Sequence, residues 1–337
     1  MKKICSVSLL ILMFTVINPA HAGMKKYGQA GMTFLNIGGS ARASGMANVF
    51  DFAHNDLGSV FYNPAGLATV ENRTFYFNYT QWIADMSVSH IAFSWDFGRV
   101  GVFALHGQFM DYGDFQGTVI DPTISAGYRD IDINDVSAMS IGLSYGKSLT
   151  DKFSIGGTVK YIGQKLGHVD TYVGDAMETS NKANEISGVA FDFGTLYDVG
   201  IRSLILSMSI RNYAAQQLYE NEEFQIPQTY KIGIAADLIE LFSSPSESHK
   251  ILTAVEWVDS REHPQYLNVG VEYTWIEMVS LRFGWNSNRN QDNLSAYSLG
   301  AGYTFNSSSF LGRIDLSYSA FDSDLGNVLR FSLSGSF

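Results

Sequence analysis

The chain has 337 residues, of which 46% are apolar, 14% aromatic and only 16% charged, with a formal net charge of −11. Charge is well below the roughly 25% of soluble domains, and the negative balance argues against nucleic acid as a partner. Beyond the N-terminus, no segment reaches the apolar run of about 20 residues that a membrane helix needs. Few charges, many aromatics and 32 glycines without a spanning helix favour a membrane β-barrel.

The first 22 residues have the three parts of a secretory signal peptide. Lys2 and Lys3 form a short basic region, residues 7–17 form an apolar core, and Ala20-His21-Ala22 is a small-x-small cleavage site. Cys5, the only cysteine, lies before the apolar core, so the mature chain has no thiol or disulfide chemistry. The sequence therefore predicts export with cleavage near Ala22.

Residues 23–72 do not follow a strand pattern and carry two motifs, Ser40-Ala-Arg-Ala-Ser-Gly-Met46 and Tyr62-Asn-Pro-Ala-Gly-Leu-Ala68. Pro64 fixes its own φ and pushes Asn63 toward an extended conformation, which makes the turn formed by Asn63, Pro64, Ala65 and Gly66 stiff. Gly66 permits a close backbone approach. A plug packed inside a narrow lumen explains these features. The alternative is an ordinary N-terminal loop, because Asn-Pro is frequent in turns.

The two motifs, over about residues 28–70, resemble the PorV/PorQ family, a branch of the FadL-type outer-membrane barrels. The resemblance implies a fourteen-stranded barrel plugged by an N-terminal hatch that contains the Asn-Pro-Ala turn. Before that turn the family usually has a longer small-residue stretch with acidic residues, where this chain has Asp51, His54, Asn55 and Asp56.

The same resemblance implies a role in protein export by type IX secretion. The protein would then bind or hand over the C-terminal signal domains of cargo beside a secretion channel. The external loops near 111–135 and 164–185 are the candidate contact surfaces, with the large side chains Tyr112, Phe115, Tyr128, Tyr172 and Met177. The alternative is a FadL-like transporter of long-chain fatty acids or other hydrophobic molecules across the outer membrane.

Fourteen segments with alternating polarity follow the hatch, an even number as single-chain bacterial barrels require. Their connections alternate between long, external loops and short, periplasmic turns. The exceptions are the connection near 239–248, which is long for a periplasmic turn, and the short external ones near 261–264 and 323–326. Gly101 and Gly107 predict a bend or bulge near the third strand. The expected strands cover residues 74–80, 86–97, 99–110, 136–148, 152–163, 186–199, 203–213, 227–238, 249–260, 265–275, 277–288, 294–305, 309–322 and 327–337.

The last strand carries Leu329, Phe331, Leu333 and Phe337 on one parity and polar residues on the other. This alternation predicts one face toward lipid and one toward the lumen. A final strand that ends in an aromatic residue looks like the signal that outer-membrane barrels present to the barrel-insertion machinery. The alternative is the C-terminal strand of a soluble sandwich. The predicted organisation is a signal peptide (1–22), a hatch (23–72) and a transmembrane all-β barrel (73–337) in outer-membrane lipid.

No constellation of residues indicates catalysis. The sequence has no phosphate-binding loop and no Gly-x-Ser-x-Gly motif, and its histidines are scattered. We therefore expect a protein that is not an enzyme and that has no cofactor or metal. Charges of both signs on the inner parity predict paired networks that stiffen the barrel or anchor the hatch. These residues are Lys160, Asp192, Arg211, Lys231, Asp237, Glu256, Glu272, Arg282, Arg313, Asp315 and Arg330.

Overall fold

The computed structural model describes most of the chain beyond the predicted signal peptide, which lies outside the described residues. The described residues are 28, 30–121, 123–133, 136–167, 170–173, 176–179, 184–243, 246, 248–287, 297–307, 310–320 and 326–337. Over 170–173 and 176–179 the backbone is described but the side chains are not. Among these residues, no helix combines the length and the hydropathy needed to cross a bilayer.

Fourteen strands of the described residues form one closed antiparallel barrel. Each strand pairs with its neighbours along the chain, and the last pairs with the first, which confirms the predicted fold class and strand count. The barrel strands are β1 (Arg73–Gln81), β2 (Ser87–Asp96), β3 (Val102–Asp111), β6 (Val136–Thr150), β7 (Phe153–Leu166), β10 (Glu185–Asp198), β11 (Ile205–Tyr213), β14 (Thr229–Asp237), β15 (His249–Ser260), β16 (Tyr266–Trp275), β17 (Val279–Asn286), β18 (Tyr297–Ser307), β19 (Phe310–Ala320) and β20 (Asn327–Ser336).

The remaining strands form three hairpins within the three longest predicted external connections. They are β4 (Phe115–Ile120) with β5 (Tyr128–Ile133), β8 (Asp170–Val173) with β9 (Ala176–Thr179), and β12 (Gln217–Tyr219) with β13 (Glu222–Phe224). All three lie at the same end of the barrel, which we call the long-loop end. Long loops face the outside in bacterial barrels, so this end is the expected outer end.

The barrel closes where β20 pairs with β1, with Phe331 opposite Tyr79 and Leu333 opposite Phe77. Along β20, Leu329 and Phe331 are exposed on the outer face, whereas Arg330 points inward and is buried. This arrangement of apolar side chains outside and polar side chains inside reverses the pattern of a soluble protein and is that of a barrel in lipid.

The wall is regular at the position where the sequence predicted a bend. Strand β3 pairs with both neighbours without a register shift, so the expected irregularity is wrong. Gly101 instead precedes the strand, in a turn with φ of 122°. A bulge occurs between β10 and β11, where Asn212 has φ of 56°. Asparagine tolerates this left-handed conformation, because its short polar side chain bonds locally.

Residues 30–70, here called the N-terminal segment, lie against the inner face of the barrel. The segment contains an α-helix (Ala41–Ser44) and three 3₁₀ helices (Thr33–Asn36, Leu57–Phe61 and Pro64–Thr69). Three of these helices begin with a capping side chain. Ser40 accepts a hydrogen bond from the Ala43 amide, Asp56 accepts one from the Gly58 amide, and Asn63 accepts one from the Ala65 amide. Most side chains of the segment are buried, which gives the barrel an apolar core inside its lumen.

Asp237 does not belong to the lumen networks that the sequence predicted. It ends β14, and its carboxylate caps a short helix (Leu238–Phe242) by accepting hydrogen bonds from the amides of Ile239 and Glu240. The carbonyl oxygens at the other end of this helix accept from Arg202. Asp237 therefore stabilises the connection at the short-turn end.

Candidate binding cavity and the segment beneath it

A cavity of about 580 Å³ opens at the long-loop end, between the N-terminal segment and the outer ends of the strands. Its volume is within the range of small-molecule sites. Thr33 to Gly38 of the segment contribute to its floor, and the connections after β1 and β15 contribute to its rim. We call it the outer cavity.

One side of the outer cavity is apolar. Phe34 of the N-terminal segment and Met110 at the outer end of β3 are buried there, and Trp82, Met86 and Tyr112 pack against the same cluster. The buried part of this cluster continues along the wall, where Val88, Met110 and Ala138 lie opposite one another on β2, β3 and β6. An apolar solute that enters from the long-loop end therefore meets a surface on which it is removed from water.

The other side of the outer cavity is charged, and Arg211, Lys231 and Glu262 line it. Arg330 also lines the cavity, but it stacks over Trp82 of the apolar side at 5.5 Å. The cations of Arg211 and Lys231 lie 5.7 Å and 5.4 Å from the centre of the Tyr62 ring, so both form cation–π contacts with this ring of the segment. A cavity with an apolar side and a charged side suits a ligand that has an apolar part and a charged part.

Glu262 joins the external loop after β15 to the N-terminal segment, because its carboxylate accepts a hydrogen bond from the Asn36 amide. Burial raises the pKa of Glu262 from 4.5 to about 7, and the Asn36 bond offsets only part of this effect. A carboxyl group with a raised pKa in the folded state binds a proton more tightly there than in the unfolded state. It therefore makes folding less favourable as pH rises from 4.5 to 7.

This sign gives a pH prediction. When the pH is raised from 5 to 8, the free energy of unfolding of the wild-type barrel is expected to fall more than that of Glu262→Gln. The difference between the two falls is at most about 3 kcal/mol. Glutamine keeps an oxygen that accepts from Asn36 but does not titrate. Urea unfolding, followed by gel mobility at the two pH values, measures the difference. Equal pH slopes for the two proteins would show that Glu262 has an ordinary pKa.

Below the outer cavity, the N-terminal segment contacts the wall through a row of glycines. Gly146, Gly156 and Gly194 lie opposite one another on β6, β7 and β10. A Cβ atom on Gly156 would overlap the backbone of Pro64 and Ala65, and one on Gly194 would overlap the Asn63 side chain. The row therefore leaves the space that the Asn-Pro-Ala turn occupies.

Asn63 also bonds to the wall directly. It is fully buried, and its amide group donates to the carbonyl oxygens of Asp51 at 2.9 Å and of Thr195 on β10 at 3.2 Å. The same side chain caps the helix that starts at Pro64. Three hydrogen bonds from one side chain fix the turn to the segment and to the barrel at once.

A buried ionic network holds the opposite side of the segment. Arg42 donates to Glu272 on β16 at 2.6 Å and 2.9 Å and to Asp56 at 3.0 Å. Glu272 also pairs with Arg282 and Arg313, and both of these arginines pair with Asp315. Three cations and three carboxylates are thus neutralised together, which buried charges require.

A second network fixes residues 48–51 of the segment. Glu256 on β15 accepts hydrogen bonds from the amides of Phe50 and Asp51, both at 2.8 Å. Lys231 pairs with Glu256 at 2.9 Å and donates to the Asn48 carbonyl at 2.9 Å. Elsewhere in the lumen, Lys160 pairs with Asp192 at 2.8 Å. Most charges on the inner parity therefore form paired networks, as the sequence predicted.

The hatch turn and the insertion signal that the sequence predicted do not line the outer cavity. Asn63, Pro64, Ala65 and Gly66 lie below it, and Leu329, Phe331, Leu333 and Phe337 belong to the outer face or the end of β20. Of the proposed cargo-contact side chains, Tyr112 lines the cavity, and Phe115 and Tyr128 are exposed on the β4–β5 hairpin. The side chains of Tyr172 and Met177 lie outside the described residues.

Sequence reasoning did not identify the outer cavity. Trp82, Met110 and Glu262 line it, but they come from three separate parts of the chain and carry no shared motif. Arg211 and Arg330 were expected on the inner face, without a sign that they border a cavity. Within the described ranges, no three His, Cys, Asp or Glu side chains come together as ligands for a metal ion.

Comparisons with known proteins agree with this architecture. No family model matches the chain, and no curated protein sequence matches it. Solved structures do match. A structure titled CymD monoaromatic hydrocarbon channel has a TM-score of 0.56 at 12% identity, over 89% of this chain and 98% of that one. The P. putida toluene transporter TodX has a TM-score of 0.56 at 8% identity, over 89% and 97%.

A FadL homologue of Pseudomonas aeruginosa is also similar, with a TM-score of 0.50 at 13% identity, over 88% of this chain and 97% of the homologue. Identities this low establish the fold alone. The titles of two of these structures name a monoaromatic hydrocarbon channel and a toluene transporter. This chain, a closed barrel of fourteen strands, shares its overall fold with the matched structures.

Proposed function

We propose that this protein is an outer-membrane channel that takes up hydrophobic small molecules from the outside. The observation that carries the proposal is the outer cavity, which has an apolar side formed by Phe34, Trp82, Met86, Met110 and Tyr112. A water-filled porin would not need such a surface, because its solutes cross in solution. The structures titled as channels for monoaromatic hydrocarbons and for toluene share the fold and support the same class of substrate.

In this proposal the N-terminal segment is a hatch. It lies beneath the outer cavity, and its Asn63-Pro64 turn and Arg42 are bonded to different parts of the wall. A filled lumen prevents free diffusion of water and polar solutes. A hydrophobic molecule is then captured at the outer cavity and moves on when the hatch or its contacts shift. The signal peptide, the outer-membrane location and the insertion signal at Phe337 belong to the same proposal.

Binding of a neutral apolar probe tests the role of the cavity. We expect Met86→Gln/Met110→Gln to weaken dodecanol binding about tenfold or more, because two methionines that bury apolar area become polar without a large change in size. The Met86→Leu/Met110→Leu variant keeps the apolar wall and is the matched control. Equilibrium binding of radiolabelled dodecanol to the purified barrel in amphipol gives the affinities. If the glutamine variant binds as tightly as the leucine variant, dodecanol does not occupy the outer cavity.

A further inference from the structure

The outer cavity contains buried charges that the protein does not neutralise within hydrogen-bonding distance. Elsewhere in the lumen, lysines and arginines pair directly with carboxylates, as Lys160 does with Asp192 and Arg282 with Glu272. Burial of a charge is costly unless a partner compensates it. Unpaired charges at a cavity therefore indicate the groups that a ligand brings. This reasoning rests on the proposed function, because it assumes that the cavity takes a ligand.

Two of these charges are cations. Arg211 is buried and donates to the Leu35 carbonyl at 3.1 Å, and no described carboxylate forms an ion pair with it. Arg330 is 5% exposed and stacks over the Trp82 ring at 5.5 Å. Its Nη1 donates to the Ser319 hydroxyl at 3.3 Å, whereas its Nε has no hydrogen-bond partner among the described residues. Both guanidinium groups can still donate to an anion.

The third charge is a carboxylate. Glu262 is 8% exposed, and the hydrogen bond to its side chain comes from the neutral amide of Asn36. No Lys or Arg side chain of the described residues forms an ion pair with it. Tyr266, whose ring also lines the cavity, follows on the next strand. A carboxylate beside an aromatic ring is a suitable site for a cationic group.

The pairing register of the strands shows where Arg211 and Glu262 lie relative to each other. Arg211 lies opposite Thr229 on β14, and Thr229 lies opposite Ser260 on β15. The backbone positions of Arg211 and Ser260 are therefore about 10 Å apart, two strand spacings. Glu262 follows Ser260 by two residues, so the cation on β11 and the carboxylate in the loop after β15 face one cavity.

We propose that the outer cavity binds an amphiphile that carries both an anionic and a cationic group on an apolar body. The anionic group lies at Arg211, and the cationic group lies at Glu262. Arg330 is outside this pair, because β20 lies seven strands from β11 in the barrel. The apolar body contacts Met86 and Met110. Neither charge of such a ligand remains unpaired after it leaves water, whereas a neutral hydrocarbon would leave Arg211 and Glu262 without a partner.

Four probes with the same twelve-carbon chain test this inference. They are a zwitterionic sulfobetaine, dodecyl sulfate, dodecyltrimethylammonium and neutral dodecanol, used below their micellar concentrations with the whole barrel in amphipol. We expect the sulfobetaine to bind about tenfold or more tightly than each of the others, because each charged hydrogen-bonded contact adds about 1.5–3 kcal/mol. Calorimetry measures the four dissociation constants.

Two variants test which protein charge binds which group of the sulfobetaine. Glu262→Gln is expected to remove the advantage of the sulfobetaine over dodecyl sulfate, and Arg211→Met its advantage over dodecyltrimethylammonium. Heat-modifiable gel mobility confirms that each variant is folded. If dodecanol or dodecyl sulfate binds as tightly as the sulfobetaine, this inference is wrong and the proposed function stands. If none of the four probes binds to the folded wild-type barrel, the proposed function fails as well.

Discussion

Gly156→Val is expected to open the barrel to ions. A side chain at this position overlaps the backbone of Pro64 and Ala65, and backbone cannot move aside as a flexible side chain does. Overpacking of this kind costs about 1–3 kcal/mol. We therefore expect the fraction of barrels with an undocked Asn63-Pro64 turn to rise about ten- to hundredfold. Conductance in planar bilayers measures that fraction directly.

The adjacent glycine supplies a matched control. Gly157 is on the other face of β7, and the nearest atom to an added Cβ there is the Asp192 carbonyl oxygen at 3.7 Å. Gly157→Val makes the same chemical change on the same strand without touching the N-terminal segment. Its conductance should stay at the wild-type level. Equal conductance of both valine variants would show that the segment does not depend on the glycine row.

Glu272→Ala is expected to be the most destabilising single replacement of a charge in the lumen. Glu272 is buried and pairs with Arg42, Arg282 and Arg313 at once. Removal of one partner from a buried ion pair costs about 3–5 kcal/mol, because the opposite charge remains buried. The urea midpoint of unfolding should fall clearly, as followed by the loss of heat-modifiable gel mobility.

An exposed pair on a neighbouring part of the barrel is the control for this experiment. Lys250 and Glu277 form an ion pair at 2.6 Å, but their side chains are 50% and 68% exposed. Solvent screens such pairs, so Glu277→Ala should leave the urea midpoint nearly unchanged. A midpoint of Glu272→Ala that matches that of Glu277→Ala would mean that water reaches the buried network and screens it.

The barrel was predictable because its signals are local. Alternation along a strand depends only on which face each side chain takes, so segments such as β15 and β20 were recognised one at a time. The count of fourteen such segments, an even number, then predicted a closed barrel. The external hairpins were missed, because β4–β5 and β12–β13 are short and lack a buried face that would impose alternation.

The outer cavity was not predictable, because it arises where distant parts of the chain meet. Arg211 and Arg330 look like other inward-facing charges in sequence. Only the register and the position of Leu35 and Trp82 show that they border a cavity. The bulge at Asn212 was not predictable either, because no glycine in the sequence marks its position. Such features depend on tertiary placement, which periodicity does not contain.

Uptake by cells tests the central claim, that the outer cavity admits hydrophobic molecules, most directly. Cells that produce the wild-type barrel, the Met86→Gln/Met110→Gln variant or no barrel are compared for the initial rate of radiolabelled dodecanol uptake at equal barrel levels. We predict that the wild-type barrel raises the rate above the cells without it and that the glutamine variant returns it toward that background. Uptake that is the same in all three strains would contradict the claim.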